Sequence, residues 1–250
     1  FSNSLGQKFE ARDYQIDAIY HSLKRNRALL VSPTASGKSF IIYSLIRYYT
    51  HLIKEQHNSR ILLIVPTTSL VEQMYTDFES YGWNVKKYCH RLYSGYSNQT
   101  DKKVLISTWQ SLYKLPKEYF EQFGCVFGDE AHLFKSKSLT EIMTKLIDCK
   151  YRIGLTGTLD GAHTHKLVLE GLFGAVNKVT TTKKLMDKKQ LSNLVVRCLI
   201  LKHSEANSKI VANGKYQDEI DYLVGSKPRN NFIRNLALKL KGNTLILFQL

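Results

Sequence analysis

The sequence predicts an α/β fold with a mainly parallel sheet, and three observations carry that reading. Short apolar runs alternate with longer stretches whose apolar residues recur at helical spacing, the pattern of strands joined by crossover helices. Several of the runs end abruptly on a polar or turn-forming residue, at Ser32, Pro66, Asp129 and Thr156. Apolar residues make up 43% of the 250, enough for a sizeable core and too many for a disordered chain.

The elements follow in order. Arg12–Lys24 reads as a helix with Ile16, Ile19, Tyr20 and Leu23 on one face. Ala28–Val31 reads as a buried strand, Ser32–Gly37 as a loop, and Lys38 to about Ile53 as the next helix. Ile61–Val65 is a second buried strand, which Pro66 stops. Ser69–Tyr81 reads as a helix, with Ser69 as cap and Glu72 completing a capping box. Further strands are expected at Val104–Ser107, Cys125–Gly128 and Arg152–Leu155. After Thr182 the texture changes. Lys183–Lys189 suggests a short helix and turn, Leu194–Leu201 a strand, and Tyr216–Val224 and Asn231–Leu240 two helices. Thr244–Phe248 reads as a new buried strand. The expected organisation is a first α/β domain over residues 1–182, then a linker and the truncated start of a second α/β domain over residues 183–250. An opening Phe1 in place of Met adds the expectation of a fragment or processed product.

Composition narrows the function classes. The longest purely apolar run is Ile61–Val65, too short to span a membrane, and no secretory leader opens the chain. Cys89, Cys125, Cys149 and Cys198 are far apart, which fits reduced thiols and a cytoplasmic protein better than a disulfide or zinc framework. His163 and His165 would need further ligands from elsewhere to hold a metal. Lys and Arg number 36 against 21 Asp and Glu, a net charge of +15, of which +8 falls in residues 181–250. Such an excess is either a solvated basic surface or the footprint of a polyanionic partner, and a nucleic acid is favoured. The Lys183–Lys189 run either touches phosphates or is a solvated linker face.

Three motifs carry chemistry. Ser32-Pro-Thr34-Ala35-Ser36-Gly37-Lys38-Ser39 follows a strand and opens a helix, the context of a phosphate-binding loop. Helix-start amides surround phosphate oxygens, Lys38 supplies a positive charge, and the Ser39 hydroxyl can ligate Mg²⁺. Ser32 stands where the full pattern has its first glycine. Phe127-Gly-Asp129-Glu130-Ala-His132 places two carboxylates past a strand end, where an Asp can hold Mg²⁺ and a Glu can polarise water. Gly154-Leu-Thr156-Gly-Thr158 ends another strand, and its hydroxyls either sense the acidic motif or belong to an ordinary turn. An upstream loop for phosphate and a downstream acidic strand end, in that order, are what nucleotide hydrolysis requires.

The set resembles the first motor domain of superfamily 2 helicases and translocases. Ser32–Ser39 resembles motif I, Val65-Pro-Thr-Thr-Ser-Leu-Val-Glu-Gln73 motif Ia, Asp129-Glu-Ala-His132 a DEAH box, and Leu155-Thr-Gly-Thr158 motif III. Ile106-Ser-Thr-Trp-Gln-Ser-Leu112 resembles a nucleic-acid-contacting motif, and Arg12-Asp-Tyr-Gln15 an adenine-contacting element. The resemblance covers most of residues 10–182. Ser107–Gln110, Lys114–Phe123 and Val179–Met186 are further similar to the phage UvsW type of DNA helicase.

The resemblance implies a RecA-like fold, ATP and Mg²⁺ as ligands, and an ATP-dependent DNA helicase or translocase that remodels branched DNA or R-loops as a monomer. It implies that Lys38 binds the β- and γ-phosphates with Thr34, Ala35, Ser36 and Gly37 around them. Ser39 and Asp129 hold Mg²⁺, and Glu130 activates water. Gln15 reads the adenine with Arg12 nearby. His132, Thr156 and Thr158 couple nucleotide to nucleic acid, and Pro66, Thr67 and Thr108 lie near its backbone. Ala35 and Ser39 depart mildly from the commoner glycine and threonine. Arginines from a second motor domain complete the family's site, so these 250 residues are expected to bind nucleotide weakly, hydrolyse it poorly and not unwind. A restriction-complex duplex translocase, an RNA helicase and a nucleotide-regulated binding module are the alternatives. Tyr49, Tyr75, Tyr81, Trp83 and Tyr88 are assigned no base stacking, and Trp109 is expected to pack in the core.

Overall fold

A computed structural model of the chain describes residues 10–159, 163–192, 195–202, 204–205, 208–209 and 214–247. They fall into two compact units divided after residue 193. The first contains a seven-stranded sheet in which every pairing is parallel. Its strands are β1 (Arg27–Val31), β2 (Arg60–Val65), β3 (Cys89–Leu92), β4 (Val104–Thr108), β5 (Phe123–Gly128), β6 (Tyr151–Thr156) and β7 (Val176–Lys178), in the order β3-β4-β2-β5-β6-β1-β7.

The five central strands coincide with the apolar runs, because a parallel strand covered on both faces needs apolar residues at every position. Alternate residues serve opposite faces. Ile61, Leu63 and Val65 of β2 join one core with Phe40, Ile41 and Leu45 of α2 (Lys38–Leu52) and Val71, Met74 and Phe78 of α3 (Thr68–Ser80). Leu62 and Ile64 join the other core, with Leu139, Ile142 and Met143 of α6 (Lys137–Lys145) and Leu169 and Phe173 of α7 (His163–Phe173). Between them lie the short helices α4 (Val85–Tyr88) and α5 (Trp109–Leu112), with α8 (Thr182–Asp187) beyond β7. Trp109 is half-buried and packs with Tyr113 against the second core. The two edge strands were not anticipated: Cys-His-Arg-Leu and Val-Asn-Lys are short and mixed in polarity, as edge strands are.

Three expectations are corrected. The helix α1 (Asp13–Arg25) buries Tyr14, Gln15, Ala18 and Ser22; of the expected face Ile19 and Leu23 pack against the first core, whereas Ile16 and Tyr20 stay exposed, because Tyr14 and Gln15 turn inward onto the loop after β1. The cap of α3 is Thr67, not Ser69: Thr67 is extended after Pro66, and its hydroxyl accepts the Leu70 N–H at 3.3 Å. Glu72 instead binds Arg91 and Tyr93. Finally, residues 195–201 and 244–247 form no strand, and Val195, Val196, Leu199, Ile200, Leu245 and Leu247 remain exposed. Those stretches have no neighbouring strand among the described residues, and a lone strand gains nothing from its pattern. Leu194 and Phe248, at the ends of these expected strands, lie outside the described residues. In the second unit helices lie where they were expected at α9 (Tyr216–Gly225) and α10 (Lys227–Lys239).

Among the described residues no helix is long and apolar enough to cross a membrane, and no group of three His, Cys, Asp or Glu side chains could hold a metal on its own. All four cysteines are free.

The sheet's C-terminal end is supported from beneath by two rings. Phe134 and Phe173 meet edge to face, with centroids 5.0 Å apart, under Gly128, where an added Cβ would lie 2.7–2.9 Å from both rings. Phe173→Ala empties a fully buried site beneath β5 and β6. Urea denaturation should show a loss of about 3–5 kcal/mol.

Candidate functional site

Because every strand is parallel, the loops that follow β1, β5 and β6 emerge at one edge of the sheet, outside the carboxyl ends where α/β folds bind ligands. β6 lies between β1 and β5, so the three chemistry-bearing motifs are neighbours.

The loop after β1 is closed by its own side chains. The Ser32 and Ser36 hydroxyls are 2.6 Å apart, and Ser36 donates to the Pro33 carbonyl at 2.6 Å, so Ser32 donates to Ser36. Both serines are fully buried. That chain of hydroxyls explains how Ser32 replaces a glycine: it braces the turn from inside. Ala35 and Gly37 both adopt left-handed backbone, with φ of 63° and 79°. Thr34 and Ala35 are exposed at the loop tip. Lys38 and Ser39 then head α2, where amides lack intrahelical acceptors and the helix dipole is positive.

The start of α1 clamps this loop. The Gln15 side-chain amide donates to the carbonyls of Ser36 (3.0 Å) and Gly37 (3.4 Å), while its oxygen accepts the Arg12 N–H at 2.9 Å. Tyr14 also donates to the Ser36 carbonyl, at 2.9 Å, and accepts from the Arg12 guanidinium at 2.7 Å. A Cβ on Gly37 would collide with the Gln15 amide. Arg12, Gln15, Ala35, Gly37, Phe40 and Tyr81 line a cavity of about 210 Å³ beside the loop.

The acidic motif holds its two carboxylates differently. Asp129 is 4% exposed, and its Oδ1 has no hydrogen-bond partner. Burial, reinforced by the adjacent Glu130 charge, pushes its carboxyl up to about 6, against the opposing effects of the Glu130 amide, Lys38 and His132. Glu130 has left-handed backbone (φ 47°), a strain of about 1–3 kcal/mol for a non-glycine residue. That turn brings its carboxylate to 3.4 Å from Lys38 Nζ and 3.3 Å from His132 Nδ1. Thr156 Oγ1 donates to the Thr158 carbonyl at 2.8 Å, so at 2.9 Å it accepts from His132 Nδ1–H. His132 therefore links the acidic motif to the end of β6. Thr158 contributes its carbonyl, and its side chain is exposed.

A divalent cation with oxygen ligands fits part of this set. Asp129 Oδ1 is a buried, unpartnered oxygen, the donor such an ion takes. The Ser39 hydroxyl is engaged elsewhere, 3.0 Å from the Tyr81 hydroxyl and hydrogen-bonded to Asp77, whose carboxyl burial raises. Tyr14, Asp77 and Tyr81 were missed by sequence reasoning. Tyr14 lies inside the Arg12–Gln15 element and was readable there. Asp77 and Tyr81 carry no signal, since an Asp near a helix end is ordinarily solvated.

The remaining predicted residues lie elsewhere on the same edge. Pro66 and Thr67 follow β2, and Thr108 ends β4, which is four strands from β1, roughly 19 Å at ordinary strand spacing. Thr67 is exposed, with its hydroxyl capping α3, and is followed by exposed Thr68 and Ser69. Thr108 is only 4% exposed, with its hydroxyl 3.2 Å from that of Ser111.

Comparison with known proteins bears on this arrangement. Residues 8–161 match the family described as type III restriction enzyme, res subunit. The chain is 34% identical to the ATP-dependent DNA helicase UvsW of Enterobacteria phage T4, over 97% of its own length and 49% of the relative's. It is 30% identical to the DNA 3'-5' translocase XPB2 of Sulfurisphaera tokodaii, over 66% of this chain and 35% of that one. The chain thus spans about half the length of the first relative and about a third of the second. A crystal structure of T4 UvsW superposes with a TM-score of 0.63 at 34% identity, covering 96% of this chain and 46% of that one.

The raised Asp129 carboxyl has a consequence for stability. Between about pH 4 and pH 6 the unfolded chain loses this proton while the folded chain keeps it, so stability falls as pH rises through that window. Asp129→Asn should remove that slope and, without nucleotide at pH 7, stabilise the fold by up to about 3 kcal/mol in chemical denaturation.

Proposed function

The chain belongs to the type III restriction enzyme res-subunit family, within the superfamily 2 helicases and translocases, and on that premise we propose that it is the ATP-binding part of a DNA helicase or translocase motor. The observation that carries the proposal is the convergence of Lys38, Glu130 and His132–Thr156 around the unpartnered Asp129 carboxylate at one sheet edge.

Each residue then has a role set by its surroundings. The amides of residues 34–39 and Lys38 hold the β- and γ-phosphates. Gln15, Arg12 and the adjoining cavity take the base, with Gln15 exchanging some of its loop contacts for it. Asp129, with Ser39 released from Tyr81, would hold Mg²⁺, which when bound would supply charge neutralisation on the transferring group. Lys38 turns from Glu130 toward phosphate, and this frees the Glu130 carboxylate to accept a proton from the attacking water. His132 moves with Glu130 and carries the change to Thr156. Thr158 anchors Thr156.

Nucleic acid would run along the ends of β2 and β4, past Pro66, Thr67 and Thr108. The exposed hydroxyls of Thr67, Thr68 and Ser69 suit phosphate contacts that do not read sequence, whereas the buried Thr108 would act from beneath the surface through Ser111. DNA is favoured over RNA because the names of both curated relatives specify DNA. Within that reading we assign branched DNA or R-loops as substrate, a monomeric motor, and a cytoplasmic site of action.

The test is steady-state ATP hydrolysis, with and without branched DNA, by the whole protein with the second motor domain that completes the family's site, since these 250 residues alone are expected to hydrolyse poorly. DNA should raise the rate. Glu130→Gln should lower it about 10²–10⁴-fold with nucleotide binding retained, whereas Lys38→Ala should lose both binding and turnover. A rate indifferent to DNA and to both substitutions would leave a nucleotide-regulated binding module instead.

A further inference from the structure

The loop after β3 carries a feature that the nucleotide site does not use. Leu92 ends β3, and its carbonyl accepts the Ser107 hydroxyl at 3.0 Å, so the residues that follow stand beside the end of β4 and Thr108. Residues 93–96 form a tight turn, with the Tyr96 N–H bonded to the Tyr93 carbonyl at 3.0 Å and left-handed Gly95 inside it. Tyr93 donates to Glu72 of α3 at 2.6 Å, and His90 Nε2 lies 2.8 Å from the Ser97 carbonyl, so the turn is fastened at both ends.

Tyr96 is held within this turn by rings and a guanidinium. The Tyr93 ring meets it at 4.7 Å and 61°, and the His90 ring at 6.2 Å and 82°. The Arg91 guanidinium lies 5.4 Å from the Tyr96 centroid and 4.4 Å from that of Tyr75. Arg91 is also ion-paired with Glu72, so its charge is already matched. It serves the ring and does not stand ready as a phosphate anchor. Despite these contacts Tyr96 remains 38% exposed, among the exposed polar residues Ser94, Ser97, Asn98 and Gln99.

We propose that Tyr96 is a stacking platform for one nucleobase of a single strand lying along the ends of β2 and β4. A ring held in place, open to solvent and surrounded by small polar groups suits a base, since every base presents a π-face and stacking tolerates any sequence. An apolar protein partner would need a wider apolar surface than one tyrosine. The proposal rests on the nucleic-acid reading above and adds to it a contact with a base where the neighbouring residues offer only backbone contacts.

The experiment compares two labelled oligonucleotides of equal length, oligo(dT) and an abasic chain with the same phosphates, by fluorescence anisotropy. The wild-type protein should bind oligo(dT) more tightly. Tyr96→Ala should weaken oligo(dT) binding about tenfold and leave the abasic chain unaffected, and Tyr96→Phe should behave as wild type. Tyr96→Leu, which keeps apolar bulk without a π-face, should match Tyr96→Ala and guards against a folding defect. Equal loss on both oligonucleotides, or no loss on either, overturns the platform while leaving the nucleic-acid reading intact. A wild-type protein that binds neither overturns both.

Discussion

A carboxylate kept from water with one oxygen unpartnered is the constraint around which this chain is arranged. Asp129 sits at the end of a strand buried on both faces, with Phe134 and Phe173 packed beneath it. A charge in such a place is costly unless something compensates it. Lys38 and His132 pull its carboxyl toward ionisation, but desolvation and the neighbouring Glu130 prevail. Glu130 in turn needs left-handed backbone to stand between Lys38 and His132. In the proposed function, strain, burial and an orphaned oxygen gathered at one strand end belong to a site kept for a ligand at the expense of stability.

Strand order turns that local arrangement into a connected one. β6 lies between β1 and β5, so Thr156 stands between the phosphate loop and the acidic motif and bonds directly to His132. On the other side, the Asp129 N–H is bonded to the Ile64 carbonyl at 3.0 Å, one residue before β2 ends. Asp129 is thereby tied to the strand that leads into Pro66 and Thr67. The phosphate loop is likewise held from two directions, internally by Ser32 and Ser36 and externally by Tyr14 and Gln15. In the proposed function these bonds are the route by which an event at the nucleotide reaches the nucleic acid.

Much of this was legible in the sequence, for physical reasons. The five central strands were readable because strands covered on both faces must be apolar throughout, and the motifs because their residue types recur only where phosphate chemistry needs them. The edge strands were not, since Cys89–Leu92 and Val176–Lys178 depend on a neighbour more than on their own pattern. The inward face of α1 was half legible, since Ile19 and Leu23 pack inward as read, but Tyr14 and Gln15 clamp a polar loop and leave Ile16 and Tyr20 outside. Thr67 displaced Ser69 as cap because Pro66 sets where the extended chain ends. The engagement of Ser39 with Tyr81 and Asp77 joins residues about 40 positions apart, and no local pattern encodes it.

On the proposed function, Asp129 is held unpartnered to receive a divalent cation together with nucleotide. The direct measurement is the affinity of the chain for a non-hydrolysable ATP analogue, by calorimetry, with Mg²⁺ and with a chelator, for wild type and Asp129→Asn. Mg²⁺ should tighten binding to wild type about tenfold or more and have little effect on the variant. An equal Mg²⁺ effect in the variant would contradict it, and the buried carboxylate would then need another explanation.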